Sequence, residues 1–256
     1  LFNGLLSTPG FDQLDFSPLK VVIGGGAAVQ KPVAERWREV TGHPITEAYG
    51  LTETSPGVCC VPLNAPWNGS IGMPIPSTEV SIRDDSFNEL PVWSGEGDIE
   101  RHTGEICVRG PQVMKGYWNN PAETAKVLQD GWLKTGDIGH LDADGYFTIT
   151  DRKKDMILVS GFNVYPNEVE QVVAMHPQVL EAAAVGIPDD VSGEAVKLYV
   201  VKKDPALTAE ALIAHCRESL TAYKVPRLVE FLDELPKSNV GKVLRRELRE
   251  RGSRAR

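Results

Sequence analysis

The sequence predicts an α/β piece that runs into a β subdomain and is followed by a separate small α+β domain. Three observations carry this. A strand, a glycine turn and a helix follow one another in "LKVVIGGG" and "KPVAERWREVTG". From Trp67 to Thr150, short apolar runs alternate with turns rich in Gly, Pro and Asp. After "TDRKKD" longer helical and strand patterns return. The expected division is 1–151 (α/β piece 1–66, β subdomain 67–151) and 152–256.

Taken in order, "LKVVIGGG" reads as a short buried strand running into glycines. In the helix that follows, Pro32 suits the first turn, where a missing N–H costs nothing. Val33, Trp37 and Val40 recur at helical spacing, and Gly42 is a natural stop. "EICVRG" and "YFTIT" read as strands, and "DADGYF" as a tight turn with Asp144 and Gly145 at its corner. "MILVSGFNVYP" reads as a hairpin. "PNEVEQVVAMH" reads as a helix opened by Pro166, with Glu168 and Glu170 near its positive end and Val169, Val172 and Val173 on one face. "LEAAAVGI" and "AVKLYVVK" read as strands, and "TAEALIAHCRESL" as a helix with Leu212, Ile213, Cys216 and Leu220 on one side. The tail "RGSRAR" is expected to be disordered.

A chain of 256 residues can hold one large domain or two ordinary ones. Its net charge of -8 and pI near 5.2 argue against nucleic-acid binding, which needs a positive field over phosphates. One small anionic ligand is not excluded, because local dipoles and a few cations hold it. Four cysteines without a C-x-x-C pair suggest neither a disulfide framework nor a zinc site, and a reducing cytosol is the simplest setting. No apolar run is long enough to span a bilayer, and no signal peptide is visible. The opening "LFNGLLSTPG" lacks an initiator Met, as in an internal fragment or a chain trimmed at its front.

Several short motifs admit chemistry, each beside a plainer reading. "GGGAAV" (Gly24, Gly25, Gly26 onward) lacks the G-K-[ST] of a phosphate-cradling loop, and Val29 spoils a dinucleotide fingerprint. It is a tight turn, or a place where backbone approaches a flat ring. "YGLTET" offers Tyr49 to stack on a base, Thr52 to bond a phosphate and Glu53 to hold Mg²⁺, or else a helix cap and a surface acid. Asp137 in "DGWLKTGD" can accept two ribose hydroxyls, or bond its own turn. "DRKKD" is a solvated linker, or Arg152 holds the ligand beside a hinge. Lys242 in "LPKSNVGKVLRREL" is a solvated lysine on a polar loop unless the other motifs give it a partner.

In order and approximate spacing, "GGGAAV", "YGLTET", "GEICVRGPQVMKGYW", "DGWLKTGDIG", "DRKKDMILVSGFNVYPNEVE" and "LPKSNVGKVLRREL" resemble the core motifs of the adenylate-forming superfamily of acyl-CoA synthetases, peptide-synthetase adenylation domains and luciferases. "DGWLKTGDIGHLDADGYFTITDRKK" is similar to the fatty acyl-CoA synthetase signature, and the likeness is greatest to bacterial long-chain enzymes. The resemblance implies part of an adenylate-forming large domain followed by a small mobile C-terminal domain. The family's Gly/Ser/Thr-rich phosphate loop belongs upstream of Leu1, so the chain resembles the C-terminal half, and the exposed edge of the truncated α/β portion is expected to be sticky or poorly ordered.

The same resemblance implies ATP, Mg²⁺ and CoA, with a fatty acid as the acid substrate, and residue roles follow from it. Tyr49 would stack on adenine beside the Gly24–Gly26 backbone. Thr52 would contact phosphate and Glu53 would hold Mg²⁺. Asp137 would bind the ribose, joined by Arg152. Lys154 would be the hinge, Gly161 would line the thiol's entry, and Lys242 would bridge carboxylate and α-phosphate during adenylation. The lipid substrate is compatible with peripheral contact at the inner face of the membrane, though no basic amphipathic helix demands it. The rivals are a ligase for an aryl or medium-chain acid and a non-catalytic nucleotide-binding module. Oligomeric state is not legible.

Overall fold

The computed structural model describes residues 1–63, 65–239 and 241–254. The chain divides into two compact units, Leu1–Thr150 and Asp151–Arg256. In chain order the first contains α1 (Phe2–Leu6), β1 (Ile23–Gly25), α2 (Lys31–Thr41), β2 (Thr46–Gly50), β3 (Gly57–Cys60), β4 (Met73–Pro74), β5 (Glu79–Arg83), β6 (Gly104–Arg109), α3 (Pro121–Val127), β7 (Leu128–Gln129), β8 (Trp132–Leu141) and β9 (Phe147–Arg152). The division falls inside β9.

Strands β1 to β4 form one sheet in sequence order, with β1 and β2 parallel and the other pairs antiparallel. Because β4 lies beyond Trp67, this sheet continues past the change in sequence texture. The second sheet has the order β5-β6-β8-β7, with β9 on β8. Residues of both sheets share one core of Val58, Cys59, Ile82, Ile106, Val108 and Phe147. Helix α2 carries Pro32 in its first turn, ends at a left-handed Gly42, and buries Ala34, Trp37 and Thr41. The Phe2 and Phe11 rings lie 4.9 and 5.5 Å from Trp37.

The strand expected to be buried at "LKVVIGGG" is not. It shortens to β1, and Ile23 is 64% exposed. Among the described residues only β2 pairs with it, so its outer edge has no neighbour to bury against. An edge of this kind offers unpaired backbone groups to another chain.

The second unit contains β10 (Ile157–Val159), β11 (Phe162–Val164), α4 (Pro166–Ala174), β12 (Val179–Asp189), β13 (Gly193–Lys202), α5 (Ala209–Ser219), β14 (Leu228–Leu232) and α6 (Arg245–Arg254). Its sheet has the order β11-β10-β13-β12, with β14 parallel to β13. β13 reads as an almost continuous apolar run because both faces are covered. Val196, Leu198 and Val200 pack with Val169 and Val173 of α4 and Leu212 and Cys216 of α5. Ala195, Tyr199 and Val201 pack with Leu248 of α6. Leu212 is wholly buried, so Leu212→Ala should destabilise this unit by about 2–5 kcal/mol. The check is a shifted unfolding midpoint in urea.

The expectation of a disordered tail is corrected, since α6 continues through Arg254. Arg251 bonds Glu230 at 2.8 Å, and Gly252 packs closely against Ile187 and Tyr199, which hold the helix to the sheet. Ala255 and Arg256 lie outside the described residues. No helix among the described residues is long and apolar enough to cross a membrane.

Candidate active site

β1 and β2 run parallel, so both end at the same edge of their sheet. The register pairs Gly24 with Glu47 and Gly25 with Ala48, which brings the glycine turn beside the strand that carries Tyr49. Ligands of open α/β sheets bind outside such carboxyl ends. The turn is strapped down on both sides of Val29: its N–H donates to Glu47 Oε1 at 3.2 Å, and its carbonyl accepts from Trp67 Nε1 at 3.0 Å. Burial pushes the Glu47 carboxyl upward.

Past Tyr49 the chain folds back sharply at Gly50. A Cβ there would stand 1.6 Å from the Pro56 carbonyl oxygen, so only glycine permits the turn. The next residues form a short 3₁₀ turn, Thr52–Thr54. Buried Thr54 organises it, accepting from Leu51 N–H at 2.9 Å and donating to Pro56 O at 2.7 Å. That leaves Thr52 exposed and Glu53 half-buried. Glu53 Oε1 accepts from Tyr117 Oη at 2.9 Å, while its carbonyl accepts from Met114 N–H at 2.8 Å. Burial, then the Glu53 carboxylate, raises the Tyr117 phenol's pKa.

Asp137 comes from the other sheet. Cys107 pairs with Lys134, but Glu105 pairs with Ile138, so β8 carries extra residues at Thr135–Asp137. Such a bulge re-aims a side chain. Thr135 Oγ1 donates to Ile106 O at 2.8 Å and accepts from Asp137 N–H at 3.0 Å, and Gly136 N–H donates to Glu105 Oε1 at 2.9 Å. Asp137, buried, accepts from Tyr49 Oη at 2.6 Å. Burial, reinforced by the Asp137 charge, drives the Tyr49 phenol's pKa upward, so it stays a donor.

The first unit thus gathers Gly24–Gly26, Tyr49 and Asp137, with Thr52 and Glu53 on the adjoining turn. Among the described residues no group of three or more His, Cys, Asp and Glu side chains is placed to hold a metal. A lone carboxylate such as Glu53 can hold a cation only where phosphates and waters supply the other ligands, which is the donor set Mg²⁺ accepts.

Arg152, Lys154, Gly161 and Lys242 belong to the second unit. "DRKKD" is a hydrogen-bonded turn rather than a slack linker: Arg152 O accepts from Asp155 and Met156 N–H at 2.9 and 3.1 Å. Asp151 accepts from Arg152 and Asn167 N–H, each at 2.7 Å, and burial raises its pKa. Gly161 sits with Ser160 at the corner of the β10–β11 hairpin, with φ of 86° and 51°. This is a left-handed corner that glycine accepts at no cost. Lys242 is exposed on a tight turn. Lys237 pairs with Val243, Ser238 N–H donates to Lys242 O at 2.8 Å, and Lys242 N–H donates to Ser238 Oγ at 3.2 Å.

A cluster around Glu170 escaped the sequence reading. Arg245 Nη2 donates to Glu170 Oε2 at 2.8 Å and to Asn167 Oδ1 at 3.0 Å, and Arg249 Nη2 donates to Asp155 Oδ1 at 2.6 Å. The Glu170 side chain is only 12% exposed, and burial pushes its carboxyl up to about 7 against the pull of Arg245. The signal was present: Pro166, Glu170 and Val173 share one helical face, and Arg245 and Arg249 stand one turn apart. Thr54, Glu47 and Tyr117 were also missed.

The AMP-binding enzyme model matches residues 1–118, and the model of the AMP-binding enzyme C-terminal domain matches residues 168–242. The chain is 58% identical over 251 residues to a long-chain-fatty-acid–CoA ligase of Yersinia pestis, covering 98% of this chain and 43% of that protein. It is 45% identical over 255 residues to the ligase of the same name from Bacillus subtilis, covering 98% and 44%. It therefore spans less than half the length of these curated relatives. Among solved structures it is similar to the amide bond synthetase McbA from Marinactinospora thermotolerans, at 37% identity and a TM-score of 0.89, covering 98% of this chain and 50% of that one. It is also similar to o-succinylbenzoate CoA synthetase from B. subtilis in complex with its acyl-adenylate intermediate, at 34% identity and a TM-score of 0.82, covering 96% and 49%. Both units carry these likenesses, and the fold is that of a partial adenylate-forming enzyme: the chain belongs to the AMP-binding enzymes.

Proposed function

We propose that this chain supplies the C-terminal part of a ligase that joins a long-chain fatty acid to CoA at the expense of ATP. The observation that carries the adenylating half of this reading is the glycine turn beside the Tyr49–Asp137 pair, at the carboxyl edge of two parallel strands. The choice of a fatty acid is supported by the names of the relatives, which are 58% identical over nearly the whole chain.

In the proposed reaction a carboxylate oxygen attacks the α-phosphorus of ATP. The bond to the bridging oxygen breaks, and pyrophosphate leaves. The sulfur of CoA, its proton lost, then attacks the acyl carbonyl, and AMP departs with the carboxyl oxygen. The first step brings two anions together, so it needs fixed positive charge and donors. Lys242 supplies that charge. Tyr49 stacks on adenine beside the Gly24–Gly26 backbone, Asp137 and Arg152 hold the ribose, and Thr52 bonds phosphate. Glu53 is the residue that would hold Mg²⁺, which when bound would supply neutralisation of phosphate charge. Lys154 serves as the hinge on which the second unit swings, and Gly161 lies where the thiol of CoA enters. The proposed setting is the cytoplasm, with peripheral contact at the inner face of the membrane, which a lipid substrate makes plausible.

The test uses the complete polypeptide that carries this segment, with ATP–pyrophosphate exchange measured over a panel of acids. Each added methylene buried by the acyl site should contribute about 0.8 kcal/mol, so exchange should rise steeply with chain length. A preference for benzoate or hexanoate would move the assignment to the aryl or medium-chain reading. Nucleotide binding with no exchange for any acid would favour a non-catalytic module.

A further inference from the structure

The Glu170 cluster joins the two parts of the second unit to which the adenylation reading assigns movement. Arg245 stands three residues after Lys242. Its guanidinium reaches Glu170 through Nε at 3.3 Å and through Nη2 at 2.8 and 2.9 Å, and Asn167 through Nη2. Nη1 lies 3.9 Å from Asp155 Oδ2. One turn along α6, Arg249 Nη2 bonds both Asp155 Oδ1 and, at 3.2 Å, the carbonyl of Lys154. Glu170 is fixed in turn by Ala184 N–H at 2.8 Å. Leu248 and Gly252 already hold α6 to the sheet, and a buried ion pair is weak evidence for added stability, so fixing one geometry is the role the pairs leave open. Planar, forked guanidinium bonding sets orientation as well as attraction.

We propose that Arg245 is a positioning residue: with Arg249 and Glu170 it braces the turn bearing Lys242 against Asp155, just past the hinge residue Lys154, so that the lysine and the chain leaving the hinge move as one body. This rests on the reading of Lys242 as the adenylating cation. It adds that the charge must be carried rigidly. A 1 Å misplacement of a reacting group can cost about 10²-fold in rate, and a lysine on a slack turn would lose that much.

The experiment uses the complete polypeptide with dodecanoate, ATP and labelled pyrophosphate. Arg245→Met should lower the exchange turnover by about 10–100-fold and leave the KM for ATP within about threefold, because most of the proposed nucleotide contacts, Tyr49, Thr52 and Asp137, belong to the first unit. Amide exchange at residues 237–239 and 241–243 should quicken, and Arg245→Lys should recover part of the loss. Arg251→Met, which removes the more exposed pair at the far end of α6, should leave turnover within about twofold. If Arg245→Met fails to fold, Glu170→Gln, which keeps the shape and removes the charge, is judged on the same criteria. Unchanged turnover in Arg245→Met, in a protein that Lys242→Ala inactivates, would overturn the brace and leave the lysine's role intact. Equal losses in Arg245→Met and Arg251→Met would overturn it as general loosening of the helix. Unchanged exchange in Lys242→Ala would remove the reading on which the brace rests.

Discussion

Replacing Lys242 with alanine should lower fatty-acid-dependent ATP–pyrophosphate exchange by about 10²–10³-fold. It should leave thioester formation from supplied acyl-adenylate largely intact. The magnitude follows from the charge removed. A unit charge about 4 Å from an anion contributes about 4 kcal/mol at an effective dielectric constant near 20, and the α-phosphate and the incoming carboxylate both need it. The sparing of the second step follows from chemistry. When sulfur attacks the acyl carbonyl, no carboxylate is approaching phosphate, and the cation has no task there. Unfolding cannot produce the loss, because the side chain is exposed and the turn is closed by backbone groups and Ser238. Exposed substitutions of this kind usually cost within about 0.5 kcal/mol. Two measurements on the complete polypeptide decide it: isotope exchange, and CoA thioester yield from synthetic dodecanoyl-AMP. Equal loss in both would end the assignment of a step-specific role.

What the sequence showed and what it hid divide along a physical line. Local periodicity exposed α2, α4 and α5, because an apolar face repeats every three or four residues and Pro32 and Pro166 mark two of the starts. It exposed β12 and β13 as apolar runs, since both faces of β13 are covered. Tyr49 and Asp137 were each chosen from its own motif, yet their bond spans 88 residues and depends on a bulge in β8 that no local pattern encodes. The Arg245–Glu170 pair spans 75 residues, and an acid in an otherwise ordinary helix looks solvated until its partner is known. The exposure of β1 was misread for the opposite reason. "LKVVI" has the composition of a buried strand, but burial depends on neighbours, and among the described residues β1 has only β2. For the tail "RGSRAR" its terminal position suggested disorder, whereas Arg251, Glu230 and buried Lys197 form an ion-paired strip that holds α6 to β13 and β14.

Asp137→Asn should weaken productive ATP binding by about 10²–10⁴-fold in kcat/KM while leaving the fold in place. The substitution is nearly isosteric, and the Asn carbonyl can still accept from Tyr49, so the buried phenol keeps its partner. What changes is the other half of the group. A carboxylate offers acceptor positions alone, whereas an amide nitrogen presents two donors to hydroxyls that were themselves donating. Hydrogen bonds to a charged acceptor are worth about 1.5–3 kcal/mol each, and a ribose held through two hydroxyls loses both. The discriminating readout is nucleotide preference. The parent should favour ATP over 2′-deoxyATP and 3′-deoxyATP, since a site built to accept a hydroxyl rejects the analogue that lacks one. In Asp137→Asn that preference should collapse while discrimination between ATP and GTP persists, because the proposed site for the base is Tyr49 and the glycine turn rather than the carboxylate. A variant that kept its ribose preference would show that Asp137 serves only to anchor Tyr49, and would shift the nucleotide site away from the bulge in β8.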